Sequence, residues 1–275
     1  MRRMGLLSKV YMVLIFSFMY VPIAVMAVFS FNESKSRSNF TGFTLSWYRN
    51  LLRDDMILSA LGLSLVIALV ASIIATVLGT MASIGIHSMK RGARNVIMNI
   101  SYMPVINPEI ITGVSMMLLF VVVKNAMGGK VFGAPTLLIA HITFCVPYVI
   151  FNVSPKLRQM DVRMWEAALD LGCTPVQAFF KVVLPEIMPA VLSSFLICLT
   201  YSIDDFIISY FTSGTLQTLP IAIYSMTRKK VSPEINALST IMFVVILSII
   251  LLVNANDSRK QKKLAARSSS AFAEK

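Results

Sequence analysis

The sequence predicts an all-α integral membrane protein with six transmembrane helices. Of its 275 residues, 56% are hydrophobic and 14% are charged, whereas about 25% of the residues in soluble globular proteins are charged. Six apolar runs are each long enough for a transmembrane helix, which requires about 20 residues. Short groups of Lys and Arg separate these runs, as expected for segments that orient membrane spans.

The predicted spans have recognisable ends. The first, residues 10–31, follows the basic start of the chain. Val25-Met26-Ala27 could form a signal-peptidase site, but the run is long and further spans follow, so we interpret it as an uncleaved anchor. The second span, 56–86, ends before a basic group. The remaining spans are 96–123, 131–153, 187–211 and 235–253.

Prolines inside the third and fourth spans indicate a packed bundle. Pro104 and Pro108 lie in the third span, and Pro135 and Pro147 lie in the fourth. A proline inside a helix frees a carbonyl group and kinks the helix, and neighbouring helices must compensate for both effects. We therefore expect the spans to pack together rather than to act as independent anchors.

The distribution of basic residues predicts that both termini are cytoplasmic. In that orientation 16 of the 25 Lys and Arg residues lie on the cytoplasmic side, in agreement with the positive-inside rule. Residues 1–256 then form one transmembrane domain, and 257–275 form a polar tail that we expect to contact anionic membrane lipid. The net charge of +12 does not indicate nucleic-acid binding, because no basic stripe is interleaved with aromatic residues.

The cytoplasmic segment 154–186 has the pattern of a helix, a bend and a second helix. Apolar residues recur on one face of 161–171, Gly172 supplies a C-terminal turn, and Thr174 is the expected N-cap of the next helix. Leu184-Pro185 is expected to end that helix. Because the second helix carries one Lys and two Phe and is tethered between spans, a docking element for a cytoplasmic protein is favoured over a DNA-binding helix-turn-helix.

This segment resembles the EAA signature of type I ABC importer permeases. An EAA triplet is followed by a glycine and, further on, by a β-branched residue and a Leu-Pro pair, with Val where the family usually has Ile. The matching residues are Glu166, Ala167, Ala168, Gly172, Val182, Leu184 and Pro185. The resemblance implies a MetI-like permease bundle whose loop rests, as a coupling helix, on an ATPase subunit.

Further stretches resemble the PotC-type permease subunit of spermidine/putrescine importers, namely 43–52, 141–149, 161–172, 202–214, 219–226 and 231–241. The resemblance implies a multi-pass protein of a prokaryotic plasma membrane. It also implies a second homologous permease subunit, an ABC ATPase dimer, an extracytoplasmic solute-binding protein and a polyamine substrate. ATP and Mg²⁺ would be bound by the ATPase, and this chain would bind no cofactor or metal.

Three carboxylates within the predicted spans independently favour a cationic substrate. Glu109 lies in the third span, and Asp204 and Asp205 lie in the fifth. Each costs about 2.5 to 3.5 kcal/mol at a helix centre on insertion scales, and no Lys or Arg lies deep in a span to pair with them. Tyr201 shares the helix face of Asp204 and could contact an ammonium group through its ring. We expect one of the two aspartates to face the path and the other to pack against a neighbour; the sequence leaves open which.

A purely structural role for these acids is the alternative, since intramembrane acids can also cap helices or hold a bundle together. Glu234 is expected at the outer mouth, where it could steer cations. We expect His141 to be an interior histidine with its hydrogen bonds satisfied. The three cysteines, Cys145, Cys173 and Cys198, are expected to act as small buried hydrophobic residues.

No enzymatic motif accompanies these residues. The sequence has no phosphate-binding GxxxxGK[ST], no HExxH and no GxSxG. Two adjacent aspartates on one helix do not form a protease dyad. The remaining alternatives are a type I ABC permease for another solute and a proton-coupled secondary carrier that uses Glu109 and Asp204 as relays.

Overall fold

The structure is a computed structural model that describes residues 6–34, 39–128, 132–229, 233–248 and 251. These residues form helices and their connections, with one isolated β-bridge between Asn32 and Phe43. The chain divides into a central unit, Ala60–Ala222, and a terminal unit made of Met1–Ser59 and Ile223–Lys275. The predicted polar tail, 257–275, lies outside the described residues.

The helices in chain order are α1 (Leu6–Phe29), α2 (Ser46–Leu51), α3 (Asp55–His87), α4 (Arg91–Ile106), α5 (Glu109–Met127), α6 (Ala134–Gln159), α7 (Val162–Asp170), α8 (Pro175–Ala178), α9 (Leu184–Asp204), α10 (Ile207–Thr212), α11 (Leu219–Lys229) and α12 (Pro233–Ser248). A π-helical turn, Phe179–Val183, joins α8 to α9.

Five helices of the described residues are long and apolar enough to cross a membrane. They are Leu7–Phe29, Asp55–His87, Glu109–Ala126, Ala134–Gln159 and Pro175–Asp204. The predicted sixth span coincides with α12, which is a shorter apolar helix over its described length. No residue in the most apolar part of α1 is buried, as expected for a helix that faces lipid or another membrane subunit.

The core of the central unit lies where α6 packs against α9. Cys145 and Val149 of α6 are fully buried and belong to one cluster with Ile187 and Cys198 of α9. Helix α3 joins this core through Gly79, since a Cβ at Gly79 would lie 2.5 Å from the Val149 Cβ. Glycine therefore permits the close approach of α3 and α6.

The third and fifth predicted spans are each divided between two helices. The third is interrupted between α4 and α5, where Asn107 adopts an extended conformation because it precedes Pro108. The fifth is interrupted after Asp204. Residues 190–213 contain neither Pro nor Gly, so the second interruption must be stabilised by tertiary contacts.

The fourth predicted span and the second helix of segment 154–186 also extend further than expected. Helix α6 continues to Gln159, six residues beyond the predicted end of the span at 153. Leu184-Pro185 does not end the second helix, which runs without interruption from Pro175 to Asp204. The wider π turn before Pro185 offers a physical reason, because a proline ring clashes with the preceding turn of a regular α-helix.

Candidate substrate path and cytoplasmic loop

The two helix interruptions lie next to each other in the central unit. Gly113 is one turn after Glu109 on α5, and a Cβ at Gly113 would lie 3.5 Å from both the Ile207 carbonyl oxygen and the Ile208 Cα. The first turn of α5 therefore contacts the first turn of α10. This contact brings Glu109 close to the interruption that follows Asp204.

An aromatic pair lies beside these interruptions. The rings of Tyr148 on α6 and Tyr201 on α9 have centroids 4.8 Å apart and meet edge to face. The Tyr148 phenol also interacts electrostatically with the Glu109 carboxylate. Three helices thus contribute side chains to this region: α5 through Glu109, α6 through Tyr148, and α9 through Tyr201, which lies one turn before Asp204.

The Glu109 and Asp204 carboxylates are exposed. Neither has a hydrogen-bond or ion-pair partner among the described residues. Glu109 occupies the first turn of α5, where the helix dipole stabilises a negative charge. Asp204 is the last residue of α9, whose final carbonyl groups add partial negative charge at the same end. The arrangement favours a bound cation.

Asp205 has a different environment from Asp204. It is 8% exposed, and its carboxylate accepts hydrogen bonds from the backbone N–H groups of Ile208 at 3.2 Å and Ser209 at 2.7 Å. These bonds cap the N-terminus of α10. Asp205 therefore packs against neighbours, whereas Asp204 is exposed. Which of the two faces the substrate path stays a prediction.

Glu234 lies in the terminal unit, near the start of α12, and is half-buried. Its place at the outer mouth stays a prediction. Tyr148 is the residue that sequence reasoning missed. Its only signal in the sequence is a tyrosine after Pro147 inside an apolar run, which does not reveal a neighbour 53 positions away on α9.

A cavity of about 340 Å³ lies beside the interruption between α4 and α5. Its walls are mostly apolar and come from α4, α5 and α6. The residues that line it are Met103, Pro104, Asn107, Ile111, Thr112, Ser115, Met116, Leu119, Thr143 and Phe144. It provides space for an aliphatic group within one or two helical turns of Glu109.

The segment 154–186, which the sequence predicts to be cytoplasmic, contains the expected bend and caps. Gly172 has φ +84° and follows α7 in a Schellman motif. In this motif the Cys173 N–H donates to Ala168 O at 3.1 Å, and the Gly172 N–H donates to Leu169 O at 2.9 Å. Thr174 and Gln177 form a capping box at the start of α8, with bonds of 3.3 and 3.1 Å.

The motif residues of this segment differ in exposure. Glu166, Ala167 and Pro185 are exposed, Val182 and Leu184 are half-buried, and Ala168 is buried. Ala168 therefore packs within the chain rather than facing outward. Apolar side chains also project from the segment, with Leu171 87%, Val176 66% and Phe180 60% exposed. A surface of this kind is typical of a protein-binding site.

The profile of one family, described as "Binding-protein-dependent transport system inner membrane component", matches residues 75–259. The chain belongs to this family. Its membership confirms the resemblance to ABC importer permeases that the EAA signature indicates.

Relatives of this permease have known names. The putrescine transport system permease protein PotI of Escherichia coli is 42% identical over 231 residues, which are 82% of each chain. The spermidine/putrescine transport system permease protein PotC of Haemophilus influenzae is 35% identical over 247 residues, 90% of this chain and 94% of PotC.

Solved structures agree with this assignment. One of them is the crystal structure of a bacterial ABC transporter involved in the import of the acidic polysaccharide alginate. The match covers 92% of this permease and 95% of that chain, with a TM-score of 0.70 and 16% identity. At this identity the similarity shows the fold alone. The permease is therefore an all-helical, multi-pass membrane protein with the fold of ABC transporter permeases.

Proposed function

We propose that this permease is one of two membrane subunits of an ATP-driven importer of polyamines. The observation that carries the proposal is the pair of exposed carboxylates, Glu109 and Asp204, at two adjacent helix interruptions. The names of the relatives PotI and PotC, which refer to putrescine and spermidine, support the same class of substrate.

A polyamine fits this site because its amino groups are protonated at neutral pH. An ammonium group donates charge-assisted hydrogen bonds to carboxylates, and it is attracted to the ring faces of Tyr148 and Tyr201. The free carbonyl groups at the end of α9 are further acceptors. An anionic solute lacks a comparable partner on α9 and α10, because no Lys or Arg occurs from residue 182 to residue 227.

The cavity beside the α4–α5 interruption suits the methylene chain of a polyamine. Its walls are mostly apolar and its volume is about 340 Å³. Burial stabilises each methylene group by about 0.8 kcal/mol. An ammonium group near Glu109 could therefore continue into an alkyl chain that leaves water.

The cytoplasmic segment is proposed to couple this permease to an ABC ATPase dimer, which binds ATP and Mg²⁺. The exposed residues Glu166, Ala167, Leu171 and Val176 offer a mixed charged and apolar surface for a groove on the ATPase. From Pro175 the chain is helical to Asp204, which is 30 residues and about 45 Å at 1.5 Å per residue. A movement of the docked segment would thus reach the substrate path through one helix.

The membrane arrangement follows from this assignment. The five apolar helices and α12 make six spans, with both termini cytoplasmic according to the distribution of Lys and Arg. A second, homologous permease completes the path, and an extracytoplasmic solute-binding protein delivers the substrate. One of the structural neighbours is an alginate transporter in complex with its periplasmic protein. This chain then contributes transport and coupling but no hydrolysis.

Uptake by the reconstituted complex tests the proposal. The permease is assembled with the ATPase, second permease and binding protein of its own operon, and ATP-dependent uptake of labelled putrescine, spermidine and a neutral sugar is measured. Asp204→Asn and Glu109→Gln should each raise the KM for polyamine uptake about 10- to 100-fold, since a hydrogen bond to a charged group contributes about 1.5–3 kcal/mol. Asp55→Asn, at an exposed acid in the first turn of α3, is the control and should leave KM unchanged.

Each alternative gives a distinct result. Polyamine uptake without the ATPase, driven by a proton gradient, would indicate a secondary carrier. Uptake of the sugar but not of the polyamines would indicate a permease for another solute. Unchanged KM in both acid variants would exclude Glu109 and Asp204 from the path.

A further inference from the structure

A buried polar cluster connects α6 with both sides of the α9–α10 interruption. His141 of α6 is 1% exposed. Its Nδ1 lies 2.6 Å from the Ser202 Oγ, and its Nε2 lies 3.0 Å from the Ser209 Oγ and 3.5 Å from the Asp205 Oδ2. Ser202 belongs to α9, Ser209 to α10, and Asp205 lies between them. We call His141, Ser202, Asp205 and Ser209 the break cluster.

One neutral tautomer of His141 satisfies both ring nitrogens. The Ser202 hydroxyl donates to Nδ1, and the Nε2–H group donates to the Ser209 oxygen. The Asp205 carboxylate lies 3.5 Å from the same Nε2 and accepts two backbone N–H groups. The bonds from Ser202 through His141 to Ser209 form one chain, in which each bond strengthens the next.

No helix-breaking residue causes the interruption, so side-chain contacts such as those of the break cluster must stabilise it. Residues 190–213 contain no Pro or Gly, and Ile203, Phe206 and Ile207 are compatible with a helix. In a continuous helix the N–H groups of residues 205–208 would bond to the carbonyl groups of residues 201–204. Instead, the N–H groups of Ile208 and Ser209 bond to the Asp205 carboxylate, and His141 links Ser202 on α9 to Ser209 on α10.

We propose that His141 is a positioning residue: it keeps α9 and α10 separate and thereby holds the Asp204 carboxylate at a free helix C-terminus. If the helices joined, the carbonyl groups around Asp204 would be occupied by N–H donors and would no longer be available to a cation. What Asp204 binds rests on the function proposed above. The role of His141 in the interruption does not.

A double-mutant cycle tests whether His141 acts through Asp204. In the reconstituted complex, His141→Leu should raise the KM for putrescine uptake about tenfold. In an Asp204→Asn background, His141→Leu should raise this KM less than twofold further. In a Glu109→Gln background it should still raise the KM about tenfold. A general loss of structure would instead raise the KM by the same factor in both backgrounds, and that result would overturn the proposal.

Conservative replacement separates positioning from folding. The terminal amide of Gln can place an N–H donor near the position of Nε2, so His141→Gln should keep KM within threefold of the wild-type value. Assembly with the ATPase is measured for every variant. A Gln variant that assembles normally but is as defective as Leu would contradict the hydrogen-bond chain.

Thiol labelling gives a result that does not depend on the substrate. Asp204→Cys is introduced into the assembled complex in a Cys173→Ser background, because Cys145 and Cys198 are 0% exposed. Adding His141→Leu should slow methanethiosulfonate labelling of the introduced cysteine at least fivefold, since residue 204 moves from a helix end into a helix. The control is the same change at the other histidine, His87→Leu, which should leave the rate unchanged. Equal rates with His141→Leu would refute the positioning role even if polyamines are not transported.

Discussion

The bend at Gly172 allows a direct test of whether segment 154–186 couples ATP hydrolysis to transport. Gly172 has φ +84°, and a Cβ at this position would meet no atom within 4 Å. Replacement therefore creates no clash, and its cost is conformational: about 1–2 kcal/mol for an L-residue in the left-handed region, and more for a β-branched one. For Gly172→Val this cost lowers the population of the native bend by at least about 5- to 30-fold. In the reconstituted importer, the number of substrate molecules transported per ATP should fall by a similar factor.

Two other variants serve as controls for this prediction. Gly172→Asn should retain most of the coupling, because Asn enters the left-handed region far more readily than Val does. Gly85→Ala also meets open space, but it lies within α3, where Ala stabilises a helix by about 1 kcal/mol relative to Gly. The number of substrate molecules that Gly85→Ala transports per ATP should equal that of the wild type. Normal coupling in Gly172→Val, or equal defects in all three variants, would refute the argument from backbone conformation.

Two further predictions concern packing and movement. Gly79→Ala should lower the Tm of the purified complex, because the added methyl group meets Val149 and overpacking costs about 1–3 kcal/mol. The control Gly62→Ala, which meets open space in the same helix, should leave the Tm unchanged. Equal Tm values for the two variants would contradict the close contact between Gly79 and Val149. Spin labels at Ile110→Cys and Ile197→Cys, both exposed, should change their separation when ATP binds to the complex in a background without native cysteines. A constant distance in pulsed EPR would contradict movement of α9 relative to α5.

The sequence predicted those parts of the structure that depend on local signals. Long apolar runs became long helices, and the Schellman bend at Gly172 and the capping box at Thr174 depend on residues within a few positions of each other. The interruption before Glu109 also has a local cause, the conformational restriction before Pro108. The interruption after Asp204 has only one local signal, the Asp205 side chain that caps α10, and its histidine lies 61 positions before Ser202. A single sequence read for periodicity and breakers therefore predicts a continuous span there.

The candidate site shows the same division between local and tertiary information. Glu109 and Asp204 stand out in the sequence because a charge inside an apolar run is rare. Their proximity follows from the contact of Gly113 with α10, and the separate role of Asp205 follows from its contact with His141. Tyr148 contributes an aromatic ring through the packing of α6 on α9. None of these contacts has a signal at the residue itself.

The interruption after Asp204 also bears on how a motor could act on the path. Helix α9 packs mainly on α6, whereas α10 packs on α5 and α6. Under the proposed coupling, a displaced cytoplasmic segment would move Asp204 directly, because the chain from Pro175 to Asp204 is one helical unit. Since α10 is separate from that unit, it could stay with α5 and with Glu109. The two carboxylates would then move relative to each other, and a cation held between them would lose one of its two partners. In a continuous α9–α10 helix the same displacement would pull on the α5 contact, so the interruption exposes the acid and also lets it move.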